Sequence, residues 1–210
     1  MIKLDFTRGK QTHTLRPVKT SLEPSADLRI VLGITGASGV IYGIRLAEEL
    51  NITGSQLTTI VSDAAKTVIA TEVPKGLDRL TKTGPILSEH DLGAVISSGS
   101  VKFDASIICP CSMKSLSAIA NGFAYNLICR NVDVAIKEHR KVVLVIRETP
   151  LSEIHLENMI KLARLGVIIM PACPGFYHKP TSVDELVNHL VGKVLDSVGI
   201  DTALYRRWGD

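Results

Sequence analysis

Runs of apolar, β-branched residues alternate with segments of helical period along most of this 210-residue chain. The strand-like runs cover residues 28–35, 57–62, 105–110, 141–147 and 167–171. The helical segments cover residues 38–50, 63–72, 112–122, 126–140, 152–166 and 182–199. Apolar strands joined by helices are typical of a parallel sheet that is covered on both faces. The pattern therefore predicts a single doubly wound α/β domain with helices on both faces of the sheet.

The ends of the chain depart from this pattern. Residues 1–27 are polar and show no clean period, so we expect a flexible N-terminal extension. Residues 28–200 form the predicted domain, whose class is Rossmann-like or flavodoxin-like, and residues 201–210 form a C-terminal tail. Within the domain, prolines and an SSGS segment predict that residues 73–104 are mainly loops.

Charge and composition argue against several classes of protein. With 24 Lys and Arg against 21 Asp and Glu, the net charge of +3 is too small to indicate a nucleic-acid binder, and a small anionic ligand fits it better. No apolar run approaches the roughly 20 residues that span a bilayer, and the N-terminus lacks the apolar core of a secretion signal. We therefore expect a soluble, cytoplasmic protein that binds neither nucleic acid nor membranes.

The four cysteines do not form a metal-binding pattern. One proline separates Cys109 from Cys111, and no second pair or nearby histidine completes a tetrahedral zinc site. We therefore predict no metal ion and interpret the cysteines as buried or loop thiols of a reducing compartment.

The loops that follow the predicted strands are the expected ligand site. In a doubly wound sheet, ligands bind outside the carboxyl ends of the strands, where the strand order reverses. The segments that follow the five strands are TGASG, VSDAA, CPCSMKS, RETP and MPACPGFYH. We expect these five loops to converge.

The first loop lies within GITGASGVIYG and carries Gly33, Gly36 and Gly39. A glycine turn before a helix presents free backbone N–H groups and the positive end of the helix dipole, which together favour a phosphate. The spacing matches neither the dinucleotide fingerprint nor the P-loop, so tight packing of the helix against the strand is an equal alternative. Ser38 favours a ligand site, because its hydroxyl can cap the helix and also reach a ligand.

Side chains in the other loops have competing interpretations. Ser62 either caps the following helix or binds a ligand. Lys114 opposes the dipole at a helix start, which indicates an anionic neighbour. Arg147 and Glu148 follow an apolar strand. They either form a surface ion pair, or Arg147 holds a carbonyl or phosphate while Glu148 moves a proton.

Two further candidates lie near the C-terminus. Tyr177 offers a hydroxyl that can donate to a phosphate oxygen. Lys193 is either the solvated edge of the last helix or a ligand for an anion. Ser182 is the predicted cap of that helix, and Gly199 is its predicted end.

Taken together and in order, these segments resemble the flavin prenyltransferases of the UbiX family. The resemblance runs from about Arg29 to Trp208 and rests on GITGASGVIYGIRL, VSDAA, SSGS, PCSMKSL, DVAIKEHRKVVLVIRETPLSEIHLENM, PGFYHKP and VGKVLD. RETPL together with HLENM is its most specific part. The resemblance implies that the protein binds reduced FMN and dimethylallyl phosphate and transfers the dimethylallyl group to N5 and C6 of the flavin without a metal. The product, prenylated FMN, would serve a UbiD-type decarboxylase.

The resemblance also implies roles for individual residues. FMN would be bound by Gly36, Ala37, Ser38, Ser62, Ser112, Met113, Lys114, Ser115 and Arg147. Dimethylallyl phosphate would be bound by Tyr177, Lys193, Arg130 and Lys137. The catalytic residues would be Glu148, Ser38, Lys137 and Glu72. Fixed cations and hydroxyl donors would neutralise the charge that develops on the departing phosphate.

Two segments depart from the family pattern. Lys193 stands where many relatives have arginine, which replaces a bidentate phosphate ligand with a point charge. CRNVDV replaces the usual RAADV near Arg130, which affects packing more than chemistry. By resemblance we also expect a homododecamer whose sites are shared between subunits, with the tail LYRRWGD closing over a neighbour's site.

Two other functions stay open. An FMN-dependent decarboxylase of an aromatic or peptidyl-cysteine-type acid would use Cys109 or Cys111 as its redox or acid group. A non-catalytic carrier would bind FMN and pass it to a partner enzyme. The activity of a Cys111→Ser variant tests the first alternative, and multiple turnover with excess FMN tests the second.

Overall fold

The computed structural model describes residues 28–209, so the predicted extension at residues 1–27 lies outside the described residues. Six strands form one sheet in the order β3-β2-β1-β4-β5-β6, and every neighbouring pair is parallel. The strands are β1 (Arg29–Ile34), β2 (Gln56–Val61), β3 (Ile86–Ser88), β4 (Ala105–Cys111), β5 (Lys141–Ile146) and β6 (Ile168–Pro171). The predicted doubly wound parallel sheet is confirmed, and β3 is an addition to it.

Helices connect the strands in the described part of the chain. They are α1 (Val40–Ile52), α2 (Asp63–Glu72), α3 (Gly76–Leu80), α4 (Met113–Ala120), α5 (Leu127–Lys137), α6 (Glu153–Arg164) and α7 (Val183–Val198). The predicted ends of α7 are confirmed, because Ser182 accepts a hydrogen bond from the backbone N–H of Glu185 and Gly199 adopts a left-handed conformation. Between residues 28 and 209, no helix combines the length and the apolar content needed to cross a membrane.

The sheet separates two hydrophobic cores. In β1, Leu32 and Ile34 face a core that includes residues of α1, α2, α3 and α7. Val31 faces the opposite core, which includes residues of α4, α5 and α6. Because consecutive side chains of a strand point to opposite faces, strands buried in both cores are apolar at nearly every position. The predicted coverage of both faces is therefore confirmed.

The strand order reverses between β1 and β4. From β1 the chain proceeds to β2 and β3 on one side, and it then returns to place β4 on the other side of β1. The helical connections on the two sides of this point leave from β1 and β4 in opposite directions. The carboxyl ends of these two strands therefore border the crevice in which doubly wound proteins bind ligands.

Candidate functional site

Thr35, the residue that follows β1, joins two of the predicted loops. Its Oγ1 donates to the carbonyl oxygen of Pro110 at 2.8 Å and accepts from the backbone N–H of Ser112 at 2.8 Å. Thr35 is only 2% exposed, so both hydrogen bonds are shielded from water. They fix the loop after β1 against the loop after β4. We call the loops after β1, β2, β3, β4 and β5, together with Glu72 at the end of α2, the strand-end edge.

The start of α1 is occupied by a carboxylate of the protein itself. Glu72 Oε2 accepts from the backbone N–H groups of Gly39 at 2.8 Å and Val40 at 3.3 Å. The prediction that Ser38 caps this helix is wrong, because the N-cap is Gly39 and no side chain at that position forms the cap. A phosphate at this helix start would have to displace Glu72. Glu72 therefore contacts the loop after β1, and its catalytic role stays a prediction.

Packing accounts for two glycines of the GITGASG turn. A Cβ atom on Gly33 would lie 2.7 Å from Ile108 Cδ1, and one on Gly36 would lie 2.5 Å from Ala64 Cβ. Gly33 therefore allows close packing within the sheet and its helix layer, as the packing alternative proposed. Gly36 allows the first loop to touch the start of α2, which follows the second loop. The glycine spacing thus brings these loops together and is not in itself a phosphate motif.

Ser62 caps α2, as one of its two interpretations proposed. Its Oγ accepts from the backbone N–H of Ala65 at 3.0 Å, and the residue is 6% exposed. Among residues 28–209 the hydroxyl proton of Ser62 has no acceptor, so this group can still donate to a phosphate oxygen. Capping and ligand binding are therefore compatible at this position.

The start of α4 offers donors for an anion. Ser112 Oγ accepts from the backbone N–H of Ser115 and also donates to Ser115 Oγ at 3.2 Å. In the part of the chain that the structure describes, the backbone N–H groups of Met113 and Lys114 form no hydrogen bond. Unpaired N–H groups at a helix start bind anions well, because the helix dipole adds to their hydrogen bonds. The predicted FMN segment from Ser112 to Ser115 therefore fits a phosphate or a flavin carbonyl.

Among residues 28–209 Lys114 forms no ion pair, so the anionic neighbour that its position predicts stays a prediction. Its Nζ lies 5.1 Å from the centroid of the Tyr125 ring. The pKa of Lys114 is raised, chiefly by a hydrogen bond with Tyr125 and further by the charge of Glu89, although desolvation opposes the shift. The ammonium group therefore stays charged at neutral pH beside the α4 start.

Glu89 and Asn126 form a buried polar link that the sequence did not indicate. Glu89 Oε1 accepts from the backbone N–H of Asp63 at 2.7 Å, and Glu89 Oε2 accepts from the Asn126 side chain. Asn126 also caps α5 by accepting from the backbone N–H of Cys129 at 2.9 Å. The link holds the starts of α2 and α5 together. Glu89 follows the three-residue strand β3, which the sequence did not predict, so no pattern in the sequence pointed to this carboxylate.

Arg147 and Glu148 are exposed at the end of β5. The backbone N–H of Arg147 donates to the carbonyl oxygen of Cys111 at 3.4 Å, and Glu148 Oε1 accepts from the backbone N–H of Thr149 at 2.9 Å. Within residues 28–209 neither side chain forms an ion pair, so the surface-pair interpretation is not supported. Both charged groups lie beside the end of β4 and are available to a ligand.

Arg130 and Lys137 both lie on α5 away from the strand-end edge, and Lys137 lies farther from it than Arg130. Arg130 lies in the first half of α5, where it pairs with Asp133 at 2.7 Å and donates to the carbonyl oxygen of Ser97 at 3.1 Å. Lys137 lies in the last turn of α5 and pairs with Glu138. Because α5 runs back toward the start of β5, Lys137 lies at the opposite edge of the sheet within one chain. A shared role with Glu148 would therefore require another subunit.

Tyr177 belongs to a second group of residues, and Lys193 lies beside that group on α7. Aromatic contacts on α7 and the two segments beside it join five side chains, which we call the C-terminal ring cluster: Tyr177, His178, His189, Tyr205 and Trp208. Lys193 lies one turn after His189 on α7 and is exposed. Among the described residues, no hydrogen bond or ion pair joins this cluster to Arg147 or Glu148.

The tail is attached to α7 through Asp196. Tyr205 Oη donates to Asp196 Oδ2 at 2.6 Å, and Arg207 Nη2 donates to Asp196 Oδ1 at 2.9 Å. Desolvation raises the pKa of Asp196, but the hydrogen bonds from Arg207 and Tyr205 outweigh it and leave the pKa lowered. Burial, and then the hydrogen bond to Asp196 and its charge, raise the pKa of Tyr205 to about 12, although the charge of Arg207 opposes the shift. The C-terminal tail therefore packs on its own chain.

The cysteine alternative loses its physical basis. Cys109 and Cys111 are both buried, and burial raises the pKa of each thiol well above its usual range. A buried thiol with a raised pKa is a poor nucleophile and does not form the thiolate needed for redox chemistry. Cys109 and Cys111 are packing residues of the two cores.

The parallel sheet, the strand-end edge and a match of residues 18–195 to the model of the Flavoprotein family define the chain as a flavoprotein. Over 183 residues it is 48% identical to the flavin prenyltransferase UbiX of Methanocaldococcus jannaschii, covering 87% of this chain and 99% of that protein. The chain belongs to the UbiX family of flavin prenyltransferases.

Solved structures agree with this assignment. AnUbiX (PadA1), crystallised in complex with FMN and dimethylallyl pyrophosphate, matches with a TM-score of 0.85 and 40% identity, covering 87% of this chain and 98% of that chain. A dodecameric FMN-dependent UbiX-like decarboxylase from Escherichia coli O157:H7 matches with a TM-score of 0.85 and 41% identity, covering 87% of this chain and 100% of that chain.

Proposed function

We propose that this protein is a flavin prenyltransferase that transfers a dimethylallyl group from dimethylallyl phosphate to N5 and C6 of reduced FMN. The observation that carries the proposal is the likeness to AnUbiX, which was crystallised with FMN and a dimethylallyl donor. The product would be prenylated FMN, and a UbiD-type decarboxylase would receive it. When bound in reduced form, FMN supplies a nucleophilic nitrogen and an adjacent ring carbon.

The strand-end edge supplies the groups that FMN needs. The unpaired N–H groups of Met113 and Lys114 and the hydroxyl of Ser62 are donors for phosphate or carbonyl oxygens. The guanidinium of Arg147 can form a bidentate contact with a carbonyl or phosphate. The remaining proposed FMN ligands in this edge are Gly36, Ala37, Ser38, Ser112 and Ser115.

We assign binding of the prenyl phosphate to three cationic side chains and to the phenol of Tyr177. Tyr177 donates a hydrogen bond, and Lys193 provides a point charge where many relatives use arginine. Arg130 and Lys137 add positive charge. These groups lower the barrier to departure of the phosphate by stabilising the negative charge that develops on it. The role normally assigned to a metal ion is thus given to fixed side chains.

Proton transfer is assigned to Glu148, with Ser38, Lys137 and Glu72 in support. Glu148 is exposed at the end of β5, and only the neighbouring backbone N–H of Thr149 engages its Oε1 within the described chain. Its other carboxylate oxygen is therefore available to accept a proton from the flavin ring or to act through the released phosphate. A carboxylate in this position supplies general acid–base catalysis worth about 10² to 10⁴ in rate.

The separation of Lys137 from Glu148 within one chain supports an assembled site. A homododecamer in which subunits share each site would bring these residues together, and the E. coli relative described as dodecameric supports this arrangement. We propose the same assembly here, in the cytoplasm.

The first experiment is an anaerobic reaction of the purified full chain with FMN, dithionite and dimethylallyl phosphate, followed by mass spectrometry of the released flavin. A gain of one C5H8 unit at multiple turnovers, unchanged by EDTA, is the expected result. Unmodified FMN on a protein that binds it tightly would reject the proposal in favour of a carrier. Loss of activity with EDTA and recovery with magnesium would reject the metal-free mechanism. Parallel reactions with dimethylallyl pyrophosphate identify the preferred donor.

A further inference from the structure

His189 occupies the centre of the C-terminal ring cluster. The residue is only 6% exposed on α7. Its imidazole ring stacks on the His178 ring with centroids 5.2 Å apart, and it forms edge-to-face contacts with the Tyr205 and Tyr177 rings at centroid distances of 4.9 and 5.6 Å. Because rings pack against it from several sides, the imidazole of His189 is held in one orientation.

The hydrogen bonds of His189 determine where its proton lies. The backbone N–H of Gly175 donates to His189 Nδ1 at 3.2 Å, and a backbone N–H can only donate. Nδ1 is therefore the unprotonated nitrogen of the neutral ring, and the proton is on Nε2. His189 Nε2 lies 3.3 Å from the Tyr177 hydroxyl oxygen, so the imidazole donates and the phenol oxygen accepts.

The direction of the hydrogen bond from His189 to Tyr177 determines what the Tyr177 hydroxyl can still donate to. A phenol whose oxygen accepts from His189 has its own proton free to point elsewhere. Among residues 28–209, His189 is the only hydrogen-bond partner of the Tyr177 hydroxyl. The hydroxyl is therefore oriented as a donor toward a ligand outside the cluster.

We propose that His189 is a positioning residue that fixes the Tyr177 hydroxyl as a hydrogen-bond donor to the phosphate of the prenyl donor. The proposal rests on the proposed function for the role of Tyr177. It adds a residue that does not itself touch the substrate. Gly175 takes part in the same arrangement, because a side chain there would crowd both rings: a Cβ atom would lie 3.0 Å from the Tyr177 ring and 3.1 Å from His189 Nε2.

The charges around His189 favour the neutral ring that this arrangement requires. Desolvation lowers the pKa of His189, and the charges of His178 and Lys193 lower it further. Two other titratable groups face the ring. Tyr177 lies in the same loop as His178, and Tyr205 lies in the tail, where its hydroxyl is hydrogen-bonded to Asp196. Protonation at low pH would turn Nδ1 into a donor facing the donor N–H of Gly175. Tyr177 would then lose its fixed orientation.

Two substitutions of His189 separate its hydrogen bonds. Asn places an acceptor near the Nδ1 position and keeps the bond from Gly175, whereas Gln places a donor near the Nε2 position and keeps the bond to Tyr177. We expect His189→Asn to raise the KM for dimethylallyl phosphate roughly 5- to 10-fold, the size of one lost hydrogen bond. His189→Gln should stay within about 2-fold of the unsubstituted protein. The Kd for FMN should be unchanged in both.

A double-mutant cycle with Tyr177→Phe distinguishes positioning from a structural role. If His189 acts through the phenol, His189→Asn changes the KM by less than about 2-fold once the phenol is absent. An equal rise in KM with and without the Tyr177 hydroxyl would overturn the proposal. So would an unchanged KM in the single variant His189→Asn.

A spectroscopic measurement tests the same inference without turnover. In ¹⁵N-histidine-labelled full-length protein at pH 7.5, solid-state NMR should show His189 as the neutral tautomer with its proton on Nε2, identified by its loss in His189→Asn. A proton on Nδ1 would overturn the proposal. If the unsubstituted protein forms no prenylated FMN, the proposed function fails, and the tautomer still decides the orientation of Tyr177. If it turns over and the cycle is additive, only the role of His189 fails.

Discussion

The strand-end edge and the C-terminal ring cluster are held together by different kinds of contact. In the edge, side chains bind backbone groups of other loops: Thr35 binds Ser112, Glu72 binds Gly39 and Glu89 binds Asp63. In the cluster, side chains bind mainly other side chains, and Trp208 is 83% exposed. The edge is therefore part of the scaffold, whereas the cluster is attached to its surface.

This difference predicts how substitutions in the two regions should behave. A side chain that holds the backbone of another loop affects the position of that loop and the stability of the fold together. A side chain in a surface cluster affects the orientation of its neighbours with a smaller cost in stability. Exposed charged residues at the edge, which hold no loop, should separate chemistry from stability most clearly.

Glu148→Gln should produce the largest effect. The amide keeps the shape and the acceptor of the side chain but cannot take a proton, so kcat should fall by about 10²- to 10⁴-fold. The Kd for FMN and the thermal midpoint should stay unchanged, because Glu148 is exposed and accepts only the backbone N–H of Thr149 within residues 28–209. Anaerobic multiple-turnover assays of prenylated FMN provide the measurement.

A matched control for this variant is Glu157→Gln, which removes an exposed carboxylate of α6. Its turnover should equal that of the unsubstituted protein. Full activity of Glu148→Gln would remove Glu148 from the mechanism. A large drop in thermal midpoint would mean that Glu148 stabilises the fold, and exposed charged residues of the edge would then not separate chemistry from stability.

Asn126→Ala should produce the second largest effect, on stability. Loss of the α5 cap costs about 1 kcal/mol. Loss of the donor to the buried carboxylate of Glu89 costs a further ~1–3 kcal/mol. The sum, about 2–4 kcal/mol, should lower the thermal midpoint by several degrees and weaken FMN binding, because Glu89 also holds the start of α2.

Asn121→Ala is the control for this substitution. Asn121 is exposed at the end of α4 and donates to the carbonyl oxygen of Ser117 at 2.8 Å. Its removal should change the free energy of unfolding by less than about 0.5 kcal/mol. Equal thermal midpoints for the two variants would show that the buried link between Glu89 and Asn126 does not stabilise the edge.

The sequence predicted the sheet well because its central strands are apolar on both faces. Three short elements lie in residues 73–104, which were predicted to be mainly loops: α3, β3 and a 3-10 turn at Val95–Ser97, and all are physically weak signals. The strand β3 has three residues, of which Ile86 and Leu87 are only half-buried. The helix α3 has five residues and begins shortly after Pro74. None of these elements is long enough to show a hydrophobic period.

The site was predicted less completely, because its anchors come from distant parts of the chain. Glu72 binds Gly39 across 33 residues, and Asn126 binds Glu89 across 37. Local pattern favoured Ser38 as the cap of α1, but the fold brings Glu72 there instead. The spacing of hydroxyls in loops indicates which loops converge. It does not indicate which carboxylate reaches across to a given backbone N–H.

Acid should release the tail from α7, and we expect this to be the smallest effect of the difference between the strand-end edge and the C-terminal ring cluster. The pKa of Asp196 is lowered from its ordinary value of 3.8, because the hydrogen bonds from Arg207 and Tyr205 outweigh desolvation. A lowered folded-state pKa means that this contribution is fully present above pH ~4 and is lost as the pH falls through the folded value. Trp208 is the single tryptophan of the chain, so its fluorescence anisotropy decay reports the tail alone. We expect faster local motion of Trp208 below pH 4, while far-UV circular dichroism still reports a folded sheet. In Asp196→Asn the fast motion should already be present at pH 7 and should change little with acid. A tail that stays ordered in this variant would show that ring contacts alone attach it, and the division between the two regions would then lie between the rings and the scaffold rather than at Asp196.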